Sequence, residues 1–268
     1  MSFFKHDDIE TYYICKGEGK PLVLICGLGS QLTSWNFLIP FLKEKMKVIA
    51  LDNRGTGKSS RPNYPYRMEL FVQDIYKLLQ HLEITEKIHL CGISMGGMIA
   101  QNFTLKYPKK VKTLILIATS ANYDAKPIIE SQKLMDNMTI EQKFQTRIPA
   151  QYGRKFRKIL KGNKELYEIL RDQFIEDATT LQDFINQGVA TSAHDTRNDL
   201  NRINQPTLIV VGDKDRIIPG LNHSKFLHKN ISNSTLKIIK GGGHSLQIDS
   251  SKELREIMWD FLKTHLNT

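Results

Sequence analysis

Short apolar runs alternate with amphipathic stretches along this chain. Leu22–Cys26 (LVLIC), Val48–Leu51 (VIAL), Ile88–Cys91 (IHLC), Leu114–Ala118 (LILIA), Leu208–Val211 (LIVV) and Leu236–Ile239 (LKII) are brief and nearly continuous in hydrophobicity. Runs of that length fit strands buried on both faces. Ile9–Cys15, with the paired Tyr12 and Tyr13, reads as an antiparallel strand ahead of them. Between the runs the spacing turns helical. In Met68–Leu82, the residues Leu70, Phe71, Ile75, Leu78, Leu79 and Leu82 share one face. Met98–Tyr107 follows a Gly-Gly pair and stops before Pro108, and Glu253–His265 is amphipathic through Leu254, Ile257, Met258, Phe261 and Leu262.

Strands alternating with helices predict an α/β fold, a mostly parallel sheet flanked by helices. The alternation lapses between about Ala121 and Asn198, where the pattern is helical with basic faces, as in Tyr152–Leu160 and Lys164–Phe174. The expected organisation is a core of residues 1–120 and 199–268, with a helical cap, 121–198, inserted between two core strands.

Composition narrows the class. The 268 residues suit one α/β unit with an insertion, and 40% hydrophobic with 25% charged residues excludes a disordered or fibrous chain. No apolar run approaches the ~18 residues that span a bilayer. Lys5, Asp7, Asp8, Glu10, Lys16, Glu18 and Lys20 leave no room for the apolar region of a secretory signal, so none is expected. Cys15, Cys26 and Cys91 form no CxxC or zinc spacing. They read as three buried free thiols in a reducing compartment, which places the chain in the cytoplasm and predicts no metal. Net charge is 38 − 28 = +10. That suits an anionic partner but says little about function. Arg147, Arg154, Lys155, Arg157, Lys158, Lys161 and Lys164 read as the solvated face of cap helices. No aromatic-plus-basic motif accompanies them, so no nucleic acid is expected.

The chemistry centres on Gly92-Ile93-Ser94-Met95-Gly96, a G-x-S-x-G turn between a predicted strand and a predicted helix. A serine on so tight a turn needs neighbours without side chains, hence Gly92 and Gly96. The turn lifts the hydroxyl above the sheet and aims a helix N-terminus at the reaction. A serine needs a base. His244 stands in Gly241-Gly242-Gly243-His244-Ser245, an unobstructed loop after a strand. His6, His223, His228 and His265 read as surface residues, His81 and His89 as parts of a helix and a strand, and His194 as a polar loop residue. The base needs an acid to hold its tautomer. Asp215, in Gly212-Asp213-Lys214-Asp215 after a strand, is preferred to Asp213, which reads as a turn former; Asp124, after LILIA, is a second alternative.

With the order Ser94, Asp215, His244, the chain resembles the α/β-hydrolase fold superfamily over nearly its whole length, in its carboxylesterase and enol-lactonase branch. Leu24-Ile25-Cys26-Gly27-Leu28-Gly29 is similar to that family's HGxG loop. Asp52-Asn53-Arg54-Gly55-Thr56-Gly57-Lys58-Ser59 is similar to its D-x-R-G-x-G-x-S loop. Gly212, Asp215 and Pro219 match G-x-x-D-x-x-x-P, and His194–Arg197 through Pro206–Leu208 resembles the return from cap to core. Cys26 replaces the family's histidine, a structural position. The resemblance implies hydrolysis of a carboxylic ester or lactone through an acyl-enzyme on Ser94, with the N–H groups of Leu28 and Met95 as the oxyanion hole and no cofactor. It also leaves room for C–C hydrolase, perhydrolase or lyase chemistry, or for a ligand-binding or receptor protein. Three lookalikes fail. Leu32 stands where GxGxxG needs its third glycine, Asp52 stands where a P-loop needs its first, and the His244/Asp249 spacing is a short chance match.

Overall fold

Each of those apolar runs is a strand of one sheet in the computed structural model, which describes residues 2–176 and 178–266. The strands are β1 (Ser2–His6), β2 (Ile9–Lys16), β3 (Pro21–Ile25), β4 (Lys47–Leu51), β5 (Ile88–Ile93), β6 (Val111–Ile117), β7 (Thr207–Gly212) and β8 (Ser234–Ile239). Their order across the sheet is β1-β2-β4-β3-β5-β6-β7-β8. β2 pairs antiparallel with both β1 and β4, and β3 through β8 are parallel with β4. β1 escaped the sequence reading because SFFKH is short, mostly exposed and carries no apolar run.

Successive strand residues serve opposite faces, so a continuous run feeds two cores. Val23 and Ile25 join one buried cluster, whereas Leu22 and Leu24 join the cluster on the other side. The helices are α1 (Ile39–Leu42), α2 (Met68–His81), α3 (Met95–Lys106), α4 (Lys126–Leu134), α5 (Ile140–Gln151), α6 (Arg154–Gly162), α7 (Lys164–Ile175), α8 (Leu181–Ala193), α9 (Asn222–Asn230), α10 (Leu246–Asp249) and α11 (Ser251–Lys263). Phe71 and Ile75 of α2, Phe103 of α3 and Leu227 of α9 cover one face; Leu42 of α1 and Leu254, Met258 and Leu262 of α11 cover the other. Among the described residues, no helix is long and apolar enough to cross a membrane.

Helices α4 to α8 lie between β6 and β7. The chain leaves and re-enters the core side by side, through an Asn122–Asp195 bridge and a 2.8 Å bond from Thr196 N–H to Ala121 O. Helices α5 and α8 each start in a capping box, Thr139 with Gln142 and Thr180 with Asp183, which satisfies otherwise orphaned N–H groups. The helix expected from Tyr152 starts at Arg154 instead, because Gly153 is extended and pressed against the core: a Cβ there would lie 1.9 Å from Gly241 O.

Candidate active site

Ser94 joins β5 to α3 at φ 55° and ψ −123°. Few residues with a side chain occupy that region, and holding one there costs about 1–3 kcal/mol. The packing on either side enforces it. A Cβ on Gly92 would lie 2.1 Å from Gly96 O, and one on Gly96 would lie 2.3 Å from Ile25 O and 2.6 Å from Cys26 O. Neighbouring strand ends hold the turn. Ser94 N–H donates to Ile117 O at 2.9 Å, and Thr119 Oγ1 donates to Ser94 O at 2.7 Å. Helix α3 starts at Met95, three residues before the predicted Met98, because Ser94 itself is its N-cap.

Asp215 and His244 meet at the carboxyl ends of β7 and β8. Asp215 Oδ2 lies 2.8 Å from His244 Nδ1, with the carboxylate side chain wholly buried. Asp215 Oδ1 accepts from the N–H groups of Ile217 at 2.8 Å and Ile218 at 3.0 Å. The carboxylate is therefore fixed before it touches the ring. Its contact to Nδ1 sets that nitrogen as the donor and leaves Nε2 with a free lone pair. Asp213 does something else: its Oδ1 accepts from Gly241 N–H at 2.6 Å and ties the two loops together. Asp124 is exposed and accepts from Lys126 N–H.

Ser94 and His244 line one cavity of about 60 Å³, together with Leu28, Met95, Tyr123 and Ile217. No hydrogen bond joins the serine hydroxyl to the imidazole among the described residues; such contacts often tighten only around substrate. Gly27 lies directly beside the serine, since a Cβ on it would be 3.1 Å from Ser94 Cβ. Leu28 and Met95 line the same cavity as the hydroxyl, and their N–H groups have no hydrogen-bond acceptor among the described residues. Tyr123 donates to Ile217 O at 2.8 Å, and burial pushes its phenol up to about 12.

Helices between β6 and β7 bond directly to the loops around this cavity. Gln151 O, at the end of α5, accepts from the N–H groups of both His244 (2.9 Å) and Ser245 (3.0 Å), and Gln151 Oε1 accepts from Ser245 Oγ at 2.6 Å. Asp249 Oδ2 accepts from Gly243 N–H at 2.7 Å and from Gly153 N–H at 2.9 Å, joining the histidine loop to the insertion. On the other side of the cavity, Gln187 of α8 accepts from Gly29 N–H and donates to Arg54 O, each at 2.8 Å. Neither Gln151 nor Gln187 has a local motif that could have marked it; Asp249 stood out only through its spacing from His244, and it binds that loop's backbone rather than the ring.

Several sequence expectations need correction. Arg147 is not on a solvated face: it is half-buried and lines both the serine cavity and a chamber of about 400 Å³ under α5 and α7. Arg157 is half-buried too, whereas Arg154, Lys155, Lys158, Lys161 and Lys164 are exposed as expected. His6 is buried, its Nε2 3.2 Å from Asp74, and that contact raises its pKa. Asp74 also takes a bidentate contact from Arg54 at 2.6 and 2.8 Å. His194 is buried rather than a polar loop residue; Asn102 Nδ2 donates to its Nδ1, and burial holds its pKa down at about 4. Cys15 is exposed rather than buried, because its side chain lies on the solvent side of β2, whereas Cys26 and Cys91 are buried and burial pushes the Cys26 thiol up to about 12. No group of His, Cys, Asp and Glu among the described residues could hold a metal ion.

Residues 20–251 match the family model described as alpha/beta hydrolase fold. The chain is 28% identical to 3-oxoadipate enol-lactonase 2 of Acinetobacter baylyi, over 87% of this chain and 86% of that one. It is 31% identical to a poly(3-hydroxyalkanoate) depolymerase of Ectopseudomonas oleovorans, over 91% and 84% of the two chains. Among solved structures it superposes on a bromoperoxidase from Bacillus anthracis with a TM-score of 0.82, at 30% identity and with 95% and 96% of the chains covered.

Proposed function

The chain belongs to the alpha/beta hydrolase family, and from that premise we propose that it is a serine hydrolase of carboxylic esters or lactones. The observation that carries the reading is the 2.8 Å contact between a fully buried Asp215 and His244, in a loop that shares its cavity with the strained Ser94. A relative named as an enol-lactonase and one named as a poly(3-hydroxyalkanoate) depolymerase are in keeping with ester and lactone chemistry.

In this mechanism Ser94 Oγ attacks the carbonyl carbon as His244 Nε2 takes its proton. The carbonyl oxygen, now an oxyanion, accepts from the N–H groups of Leu28 and Met95. Asp215 stabilises the imidazolium that has formed. The intermediate collapses, the C–O bond to the leaving alkoxide breaks, and His244 returns the proton to it. For a lactone, that alcohol stays tethered to the acyl group. Water then attacks the acyl-enzyme, giving its proton to His244, and the acid departs as Ser94 regains a proton. Residues 121–198 act as a cap domain over this site. The free cysteines Cys15, Cys26 and Cys91 fit a reducing, cytoplasmic setting.

The bromoperoxidase similarity favours a second reading, in which the same acyl-enzyme is opened by peroxide. One experiment separates the possibilities. A fluorophosphonate should label Ser94 at neutral pH, located by mass spectrometry, and p-nitrophenyl esters should release acid in water alone. Labelling at another residue, or none, would falsify the serine mechanism. Labelling with turnover only when peroxide is added would move the assignment to the second reading.

A further inference from the structure

Among the described residues, Arg147 is the charged side chain lining these two cavities that has neither an ion pair nor a hydrogen bond. Asp136 and Lys143 line the larger chamber as well, but they face each other at 3.6 Å. Arg147 makes no ion pair or hydrogen bond with any described residue. Its guanidinium carbon lies 5.2 Å over the ring of Phe174, and its surroundings strip enough water from it to lower its pKa. Removing a cation from water is expensive, and contact with a ring face returns only part of that cost. A guanidinium that is merely structural normally turns outward or finds a carboxylate. This one stands where the 60 Å³ cavity beside Ser94 meets the 400 Å³ chamber, lining both.

The rest of that junction is apolar or neutral. Phe184 and Gln247 also line both spaces, and Phe144 and Ile148 wall the chamber. A ligand with one negative charge at the end of a short carbon chain matches this arrangement. Its apolar stem lies along the aromatic wall, and its anion meets a planar fork of donors. Arginine presents that fork bidentately to a carboxylate, which lysine cannot do. Resting on the serine-hydrolase reading, we infer that Arg147 anchors a free carboxylate on the substrate, so that this site prefers esters or lactones that carry a carboxylate at the end remote from the scissile carbonyl.

The test compares monomethyl succinate, glutarate and adipate with methyl butyrate, valerate and hexanoate, in the wild type and in Arg147→Gln and Arg147→Lys. The wild type should favour the half-ester over its neutral counterpart by ~10–100-fold in kcat/KM at the best chain length, the scale of a charge-assisted hydrogen bond. Arg147→Gln should collapse that ratio mainly through KM, because the contact is made in ground state and transition state alike. Arg147→Lys should retain part of the ratio. Fluorophosphonate labelling of Ser94 in each variant reports an intact site, so a misfolded variant is recognised and Arg147→Lys then decides. A wild-type ratio near one, or a ratio that survives Arg147→Gln, overturns the carboxylate anchor while Ser94 labelling leaves the hydrolase reading standing. Absence of both ester turnover and Ser94 labelling would overturn the hydrolase reading, and the anchor with it.

Discussion

The sheet core and the inserted helices are held together by different forces. The core buries continuous apolar strands between two helical layers, and residues such as Leu24, Ile25, Leu114 and Leu116 are wholly inaccessible. The insertion's own apolar cluster has only Phe144, Leu160 and Leu170 fully buried among the described residues. Phe37 and Ile248 pack against that cluster, and polar contacts join its edges to the rest of the chain: Gln187 to Gly29 and Arg54, Asp183 to Arg61, Gln151 to His244, and Gly153 to Asp249. The proposed nucleophile belongs to the first regime and the proposed base partly to the second. Ser94 is placed by backbone sterics that involve the core alone, whereas the main chain of His244 and Ser245 hangs from α5. The inserted helices therefore hold part of the framework of the proposed site.

The largest test of this division lies in the loop after β7. Asp215→Asn should lower kcat by something like ~10⁴, because an amide there favours the wrong imidazole tautomer. Asp213→Asn should cost less than about tenfold and act through stability, since its carboxylate holds Gly241 N–H and not the ring. Steady-state kinetics on one p-nitrophenyl ester decides it, and a reversed order would mean that the acid has been misassigned.

Next in size is the seam between the regions. Gly153→Ala places a methyl group 1.9 Å from Gly241 O and should push α6 off the histidine loop. Displacements near 1 Å in a catalytic constellation cost roughly 10²-fold in rate. The loss should fall on kcat, with the thermal midpoint of the core little changed. A variant altered in KM alone would mean that the insertion is only a lid.

Acid should weaken both regions through buried histidines. His89 in β5 and His194 at the insertion's return are each held by burial at about 4, below the ordinary 6.5. The unfolded chain therefore takes up these protons first. Their stabilisation is complete above pH ~6.5 and is lost as pH falls toward 4, about 2 kcal/mol for each between pH 7 and 5. His6 has the opposite sign. Its raised pKa contributes stability below 6.5 that disappears as pH rises through the folded value. Urea midpoints at pH 7.5 and 5.0 should show the net loss, and His194→Gln should remove its own share of the slope. An unchanged slope in that variant would show that His194 does not titrate with folding.

The smallest effect belongs to the exposed cations of α6. Replacing Lys155, Lys158 and Lys161 together by Gln should leave kcat/KM for a neutral ester within about twofold and stability within ~0.5 kcal/mol per site. A larger change would place these charges within reach of the cavity, in the company of Arg147.

Much of this architecture was legible in the chain itself, where the governing interactions are local. Strand identity follows from apolar runs that must be buried on both faces. The elbow follows from glycines whose missing side chains the turn demands. The preference for Asp215 over Asp213 follows from how far each stands beyond its strand. Helix α9 and strand β1 were not legible, because NHSKFLHKN and SFFKH carry no apolar run; α9 is held by the sheet face that Leu227 meets, and β1 by the strand it pairs with.

What only the tertiary structure decided are the contacts between residues far apart in sequence. The run from Arg147 to Lys164 reads as one basic stretch, yet Arg147 faces the cavity while Lys155, Lys158, Lys161 and Lys164 face water. Charge and helical period are the same along that stretch; only the surface against which α5 packs tells the residues apart. His6, at the end of β1, reads as a surface residue until Asp74 of α2 arrives beside it. Gln151 meets Ser245 across 94 residues, and Gln187 meets Gly29 across 158. Backbone sterics and hydrophobic period act over a few residues and leave a mark in the sequence. A hydrogen bond between two loops depends on where the whole sheet has carried them, and no local pattern records it.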